Sequence, residues 1–267
     1  MKSDRTATQQ YDALAELYDA YFSGKDPLER VEDLLVQYPS PAKILDCACG
    51  TGRLALGLAE RGYRAFGSDV SPGMIKIARR NERAAKSKAR FRVVDWIRLP
   101  QEFSQEFDLV FCLGNAIGHC KNEKEMLRAL GGMFAVLKPG GILHLDSRCW
   151  ETYRQQKLRY QAFPIKVSES EKMAWLNMRH RPRRFTNPHL IEVIIIREQG
   201  NASTVQSFPI TYYPFRVGDL KKRLRAAGFE KIQTNYEPGC NWYHVTARKT
   251  PCPLSKSAAP KKPTPRP

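Results

Sequence analysis

The residues best suited to chemistry lie between Ile44 and Arg53. There an apolar run, Ile44-Leu45-Asp46-Cys47, passes through Ala48-Cys49 into Gly50-Thr51-Gly52 and then into a helical pattern. Glycine at such a bend lets a ligand approach main chain that a Cβ would shield, and it accepts positive φ. Gly50, Gly52 and Ala55 satisfy the dinucleotide pattern GxGxx[GA], although a bare strand-to-helix turn would use the same residues. Asp69 follows Gly52 by 17 residues and closes the next apolar run, where a carboxylate can accept hydrogen bonds from both hydroxyls of a ribose. An isolated aspartate is otherwise a cap or turn residue. The chemistry outlined is the gripping of a nucleoside at the end of a strand.

Such a grip needs a sheet with helices to hold it. From Ile44 to Asp146 short apolar runs alternate with helical periodicity, the signature of parallel βαβ units. Strands are expected at Ile44–Cys47, Ala65–Ser68, Phe91–Val94, Leu109–Leu113 and Ile142–Leu145. Helical faces are marked by Leu54, Leu58 and Ala59, by Met74, Ile77 and Ala78, and by Met126, Leu130, Phe134 and Leu137. Lys138-Pro139-Gly140-Gly141 is expected to end the last helix and turn the chain into the next strand. Beyond Arg148 a polar, Arg-rich stretch precedes Ile191–Arg197 and Thr204–Tyr212, read as an antiparallel hairpin around Gly200-Asn201. Val217, Leu220, Leu224 and Ala227 share a helical face that Gly228 would stop, and strands near Lys231–Asn235 and Tyr243–Ala247 close the domain. From Thr250 onward the chain holds six prolines, four basic residues and no acid, a composition that reads as a disordered tail.

Composition narrows the function classes. The 267 residues carry a formal charge of +17, which favours acidic partners through the long-range field. That excess is spread over Lys76–Arg90, Arg181–Arg184, Lys221–Arg225 and the tail; two of these fall on expected helix faces, where charge runs are solvated surface, so nucleic acid is the less favoured partner. No run approaches the ~20 apolar residues of a membrane helix, and no apolar segment follows the charged start; a soluble, unexported, cytoplasmic protein is expected. The seven cysteines and five histidines lack metal-ligand spacing, so no metal is assigned and the thiols are expected to be reduced.

The sequence Asp46-Cys47-Ala48-Cys49-Gly50-Thr51-Gly52 after a strand resembles motif I of class I S-adenosylmethionine-dependent methyltransferases, over roughly residues 8 to 248. The resemblance implies an α/β fold: a Rossmann-like, mostly parallel seven-stranded sheet with helices on both faces and an inserted antiparallel β hairpin or lid. It implies S-adenosylmethionine as cofactor, held by Asp46, Ala48, Gly50, Thr51, Gly52, Asp69, Val70, Met74, Asp95, Trp96, Leu113 and Gly114. Met74, after the Ser71-Pro72-Gly73 turn, would lie beside the adenine, Asp95 would meet its amino group and Trp96 would wall it. A dehydrogenase would account for Gly50, Gly52 and Asp69 but gives Asp95-Trp96 no role.

The loop Leu113-Gly114-Asn115-Ala116-Ile117-Gly118-His119 lacks the [DN]PP[YF] of base-amine enzymes and resembles the LGNSFxH of glycine N-methyltransferases; its Ile-Gly-His also resembles aminosugar N-methyltransferases. Asp146-Ser147-Arg148-Cys149-Trp150 is similar to DHRNY of the glycine enzymes, whose arginine binds the amino-acid carboxylate, and Tyr212-Tyr213-Pro214 to their YYP. Tyr11-Asp12 and Tyr18-Asp19, in YDxxAxxYD, resemble the lid of small-amine enzymes. The catalytic set so implied is Asn115, His119, Arg148, Tyr18 and Tyr213, acting on a small-molecule amine. A surface Arg148, a core His119, a packed Tyr212-Tyr213 pair and an amphipathic Tyr11 are the competing structural readings. Ala116-Ile117-Gly118 and Cys149-Trp150 depart from the glycine enzymes' residues, and the basic segment at Arg181–Arg184 has no counterpart in them. A glycine- or sarcosine-like acceptor is favoured; an aminosugar enzyme, an RNA or protein methyltransferase and a non-catalytic cofactor-binding regulator are the alternatives. The expected organisation is a helical lid (1–40), a cofactor-binding core (41–148), a substrate-side β segment (149–214), a closing helix and strands (215–249) and the tail (250–267).

Overall fold

The apolar runs do become strands, and their period-two alternation sorts the core onto two faces. The computed structural model describes residues 6–22, 26–103, 107–157, 159–180 and 182–250, so that all of the expected tail but Thr250 lies outside the described residues, as does Arg181 of the basic segment. In order the elements are α1 (Ala7–Phe22), α2 (Glu32–Leu35), β1 (Lys43–Asp46), α3 (Arg53–Glu60), β2 (Arg64–Asp69), α4 (Pro72–Ala84), β3 (Arg90–Val93), α5 (Leu99–Glu102), β4 (Phe107–Cys112), α6 (Glu123–Val136), β5 (Leu137–Arg148), α7 (Trp150–Gln155), β6 (Tyr160–Ala162), β7 (Lys166–Val167), β8 (Lys172–His180), β9 (His189–Gln199), β10 (Ala202–Tyr212), α8 (Val217–Ala226), β11 (Phe229–Thr234) and β12 (Trp242–Lys249).

The main sheet has seven strands in the order β11-β12-β5-β4-β1-β2-β3. From β5 to β3 neighbours are parallel, while β12 runs antiparallel to both β5 and β11. Leu45, Val110, Cys112, Leu143 and Leu145 pack with Met126, Leu130 and Met133 of α6 and with Leu220 and Leu224 of α8. The alternate residues Ile44, Leu109, Phe111 and Ile142 pack with Leu54 and Leu58 of α3 and Ile75 of α4. Helices therefore cover both faces, and the order of the strands reverses between β1 and β4, where open α/β sheets bind ligands.

Two local expectations change. Lys138-Pro139-Gly140-Gly141 lies inside β5: Leu137 pairs with Phe107, the register then shifts, and pairing resumes at Ile142 opposite Leu109. The extra residues bulge from a continuing strand, with Gly140 at φ 84, so the chain does not turn there. The hairpin forms with Gln199 opposite Ala202 around Gly200, whose φ of 56 suits glycine. It belongs, however, to a separate antiparallel sheet of order β10-β9-β8-β6, with β7 also on β8. The strand β8 escapes a reading by alternation because its inward positions run Met173, Trp175, Asn177, Arg179, and the last two are polar. No helix among the described residues is long and apolar enough to cross a membrane.

Candidate active site

A cavity of about 430 Å³ opens at the carboxyl ends of the central strands. Eleven of the expected site residues line it, namely Tyr18, Ala48, Gly50, Asp69, Val70, Met74, Asp95, Trp96, Leu113, Gly114 and His119. Asp46, Thr51, Gly52, Asn115, Arg148 and Tyr213 do not line it.

The glycine turn supports the cavity from behind. Gly50 and Gly52 have φ of 51 and 87, values that L side chains rarely adopt. A Cβ on Gly52 would lie 2.7 Å from the Phe91 ring, so its missing side chain admits a core aromatic and gives no ligand access. Asp69, at the end of β2, is fixed by two backbone donors, Gly50 N at 2.9 Å and Ser71 N at 3.0 Å. Burial raises its pKa, against the pull of those bonds, so the pocket holds a desolvated carboxylate ready for hydroxyl donors. Asp95 caps the turn at Trp96–Arg98 through Ile97 N and keeps its exposed side chain at the rim. The Trp96 indole is fixed by its Nε1 donating to Cys47 O at 2.7 Å. Behind Trp96 stands Gly132 of α6, where an added Cβ would fall 1.9 Å from the Trp96 carbonyl oxygen. A Gly-Gly pair inside a helical pattern was the sequence signal for this contact.

Helix α1 closes the other side. Both aspartates of YDxxAxxYD tie it down: Asp12 accepts from Ser71 Oγ at 2.5 Å and Gly73 N at 2.7 Å, and Asp19 accepts from Thr51 Oγ1 and from Asn81 Nδ2 at 2.8 Å. Thr51 thus helps to hold α1. Tyr11 and Tyr18, seven residues apart, both face the cavity. Tyr11, for which amphipathic packing was the rival to a place in the lid motif, donates its hydroxyl to His119 Nε2 at 3.0 Å. The direction follows from His119 Nδ1, which lies 3.0 Å from Thr211 O and must carry the ring proton. Burial pushes the His119 pKa down to about 4, so the ring is neutral at neutral pH.

The residues expected to meet the acceptor divide. Asn115, 1% exposed with φ 61, joins two strand ends: its N donates to Asp146 Oδ1 at 2.7 Å, and its Oδ1 accepts from Ser147 Oγ and Arg148 N. Its Nδ2 is buried without a partner among the described residues. The Arg148 guanidinium lies 4.6 Å from the Tyr153 ring centroid and 5.2 Å from that of Trp242, beside the cavity and outside its lining. Of the tyrosine pair, Tyr212 stacks on His119 with centroids 4.5 Å apart and its hydroxyl meets that of Tyr11 at 3.2 Å. Tyr213 follows it by one residue and presents only its backbone there, N donating to Gly118 O. Strand β10 ends at Tyr212, and neither tyrosine lines the cavity.

The pocket suits S-adenosylmethionine on its own evidence. A desolvated carboxylate, an indole wall and a cradle at Gly114, where an added Cβ would meet nothing within 4 Å, offer what a ribose, an adenine and a backbone-bound tail require. Residues 44–141 match the methyltransferase domain family. The chain is a class I, Rossmann-like S-adenosylmethionine-dependent methyltransferase, related to the glycine N-methyltransferase-like proteins. It is 27% identical over 212 residues to a glycine/sarcosine N-methyltransferase of Parasynechococcus marenigrum (strain WH8102), covering 77% of this chain and 71% of that protein. To a glycine N-methyltransferase of Oryctolagus cuniculus it is 26% identical over 238 residues, covering 77% and 79%. In fold it is similar to the sugar N-methyltransferase KedS8 from Streptoalloteichus sp ATCC 53650, with a TM-score of 0.70 at 22% identity over 88% of this chain and 93% of that one.

Proposed function

We propose that the chain transfers a methyl group to the nitrogen of a small amine, with a glycine- or sarcosine-like amino acid as the favoured acceptor. The observation that carries this reading is the continuity of one cavity from Asp69 and Trp96 to Tyr18, Tyr11 and His119. The names of the two relatives support the acceptor class. When bound, S-adenosylmethionine supplies an electrophilic methyl on a sulfonium. The chain's part is to position an amine in line with that methyl, which can lower the barrier by several kcal/mol without a covalent nucleophile. In this reading Asp69 grips the ribose hydroxyls, Asp95 meets the adenine amino group, and Val70, Met74 and Trp96 flank the ring. Gly50, Leu113 and Gly114 present main chain to the tail of the cofactor. Tyr18 lies at the reacting end, and Asn115 shapes the loop that bears His119. Both nitrogens of His119 are engaged, by Tyr11 and by Thr211 O, so it orients Tyr11 and leaves the acceptor proton to solvent.

Labelled-methyl transfer across glycine, sarcosine, other amino acids, aminosugars, RNA and peptides tests the reading. Transfer to a small amine is expected; transfer to RNA or peptide with none to small amines overturns it, and cofactor binding with no transfer at all marks a regulator.

A charge linkage follows. The Asp46 pKa is raised to about 7, by burial first and then by the charges of Asp69 and Asp146, against the Ala48 N–H and Arg30. A folded pKa above the unfolded one means that the folded state loses stability as pH rises from about 4 through 7. A nearby sulfonium favours the ionised carboxylate, so cofactor binding should release a proton. The ratio of affinities for S-adenosylmethionine over its neutral demethylated product is therefore expected to rise several-fold between about pH 6 and 8 and to stay flat in Asp46→Asn. Calorimetry at several pH values reads it, and a flat ratio in the unmodified chain removes the linkage.

A further inference from the structure

The charge run that begins at Lys76 follows α4 only as far as Ala84, where the helix ends. Lys86 and Lys88 lie in the segment between α4 and β3, and Arg90 opens β3. From Arg79 to Arg92 seven residues are cationic and one, Glu82, is acidic. The backbone fixes the position of Lys86: its N donates to Arg83 O at 3.2 Å, and Ser87 N donates to Glu82 O at 3.0 Å. That pair of bonds closes a helix around one left-handed residue, ordinarily glycine. Lys86 holds the position at φ 49, at a cost that glycine would spare.

Lys86, Lys88 and Arg90 converge with Arg64, the first residue of β2, on a groove of about 1210 Å³ between α3 and the end of α4. All four residues are exposed, and none makes an ion pair among the described residues. The lining carboxylates are Asp26 and Glu60, and Arg61 engages Asp26 at 3.8 Å, so Glu60 is left against the four cations. Tyr63, half-buried, lines the same groove. The groove and the cofactor cavity lie at opposite ends of β2: Arg64 begins that strand and Asp69 ends it, about 16 Å away at strand spacing.

We propose that this groove binds the backbone of a single-stranded nucleic acid, with Arg64, Lys86, Lys88 and Arg90 on its phosphates, independently of the methyl-transfer cavity. Nucleic acid is the less favoured partner for a charge run on a helix face, but Lys86, Lys88 and Arg90 lie off the helix. Cations gathered in a groove add their fields and draw in a polyanion, and the formal charge of +17 extends that attraction. A guanidinium meets a phosphate with two parallel hydrogen bonds, and a basic groove with an aromatic wall suits a strand whose bases can stack. An acidic peptide would leave Tyr63 unused, and the flat face of a membrane does not match a groove.

The test measures binding of fluorescent oligouridylate and oligothymidylate, each of about 15 nucleotides, to the full chain by anisotropy at several salt concentrations, with and without S-adenosylhomocysteine. Saturation in the micromolar range is expected at about 0.1 M salt, with a log–log salt slope of about −3 for four phosphate contacts. Arg64→Gln, Lys88→Gln and Arg90→Gln combined should weaken binding at least about tenfold and flatten that slope by about 2. Lys221→Gln, Lys222→Gln and Arg225→Gln combined remove the same charge from α8 and should change the affinity less than about twofold. Lys86→Gly should raise the melting temperature and yet weaken binding about threefold. The affinity for S-adenosylhomocysteine should be the same in every variant, with or without the strand, which shows that the variants fold and that groove and cavity are separate. Equal affinity for the two strands supports recognition of phosphate alone; tighter binding of oligouridylate assigns RNA, and of oligothymidylate DNA. No saturation, equal losses in the two triple variants, competition with S-adenosylhomocysteine, or capture of polyglutamate in place of the oligonucleotides overturns the proposal.

Discussion

Replacing Asp69 with alanine is expected to weaken binding of S-adenosylhomocysteine at least about a hundredfold, while the ligand-free protein keeps most of its stability. The first effect follows from the loss of two hydrogen bonds from ribose hydroxyls to a carboxylate, each worth about 1.5 to 3 kcal/mol, so that about 3 kcal/mol is the lower bound. The second follows from the cost of the native side chain. Asp69 is a desolvated acid in the field of Asp12, with its pKa already raised, and its removal relieves that charge while freeing Gly50 N and Ser71 N. Asp69→Asn keeps one acceptor oxygen and should fall between. Calorimetric titration with thermal melts of the free proteins separates binding from folding; a loss below tenfold would take the sugar grip away from Asp69.

The second large effect is steric and has an internal control. Gly131 and Gly132 are neighbours in α6, yet an added Cβ at Gly131 meets nothing within 4 Å, whereas at Gly132 it lies 1.9 Å from the Trp96 carbonyl oxygen and 3.0 Å from its carbon. Backbone cannot yield as a flexible side chain does. Gly132→Ala should cost about 3 kcal/mol, the upper range for overpacking, and lower the melting temperature by about 6 to 12 °C. Gly131→Ala gains helix propensity and should be neutral or stabilising by up to about 1 kcal/mol. Gly132→Ala should also lower cofactor affinity, because the displaced turn carries the Trp96 indole. Equal melting temperatures for the two variants would mean that α6 can slide away from the turn.

The sequence carried much of the main sheet because its parallel strands are buried on both faces and read as unbroken apolar runs between amphipathic helices. Asp69, Asp95 and Trp96 were legible because a strand end fixes where a side chain points. The second sheet was legible only in its hairpin. Its β8 turns Asn177 and Arg179 inward, so the alternation that announces a half-buried strand fails at those positions. The stacking of Tyr212 on His119 was hidden for a related reason: two adjacent tyrosines give no parity until the partner face is known. Arg148 sits at the expected strand end, but the rings of Tyr153 and Trp242 set its direction, and both come from elements the sequence did not place beside it. The His119 partner of Tyr11 was not legible, since it lies 108 residues away in the chain.

The bond between Tyr11 and Tyr212 spans 201 positions of the chain. During synthesis α1 leaves the ribosome well before β10, which carries its hydroxyl partner. The five parallel strands, complete by Arg148, can assemble earlier, since their contacts close shorter loops. The cavity is therefore sealed only after β10 has emerged, by an event that joins two segments lying on either side of the parallel strands in the chain.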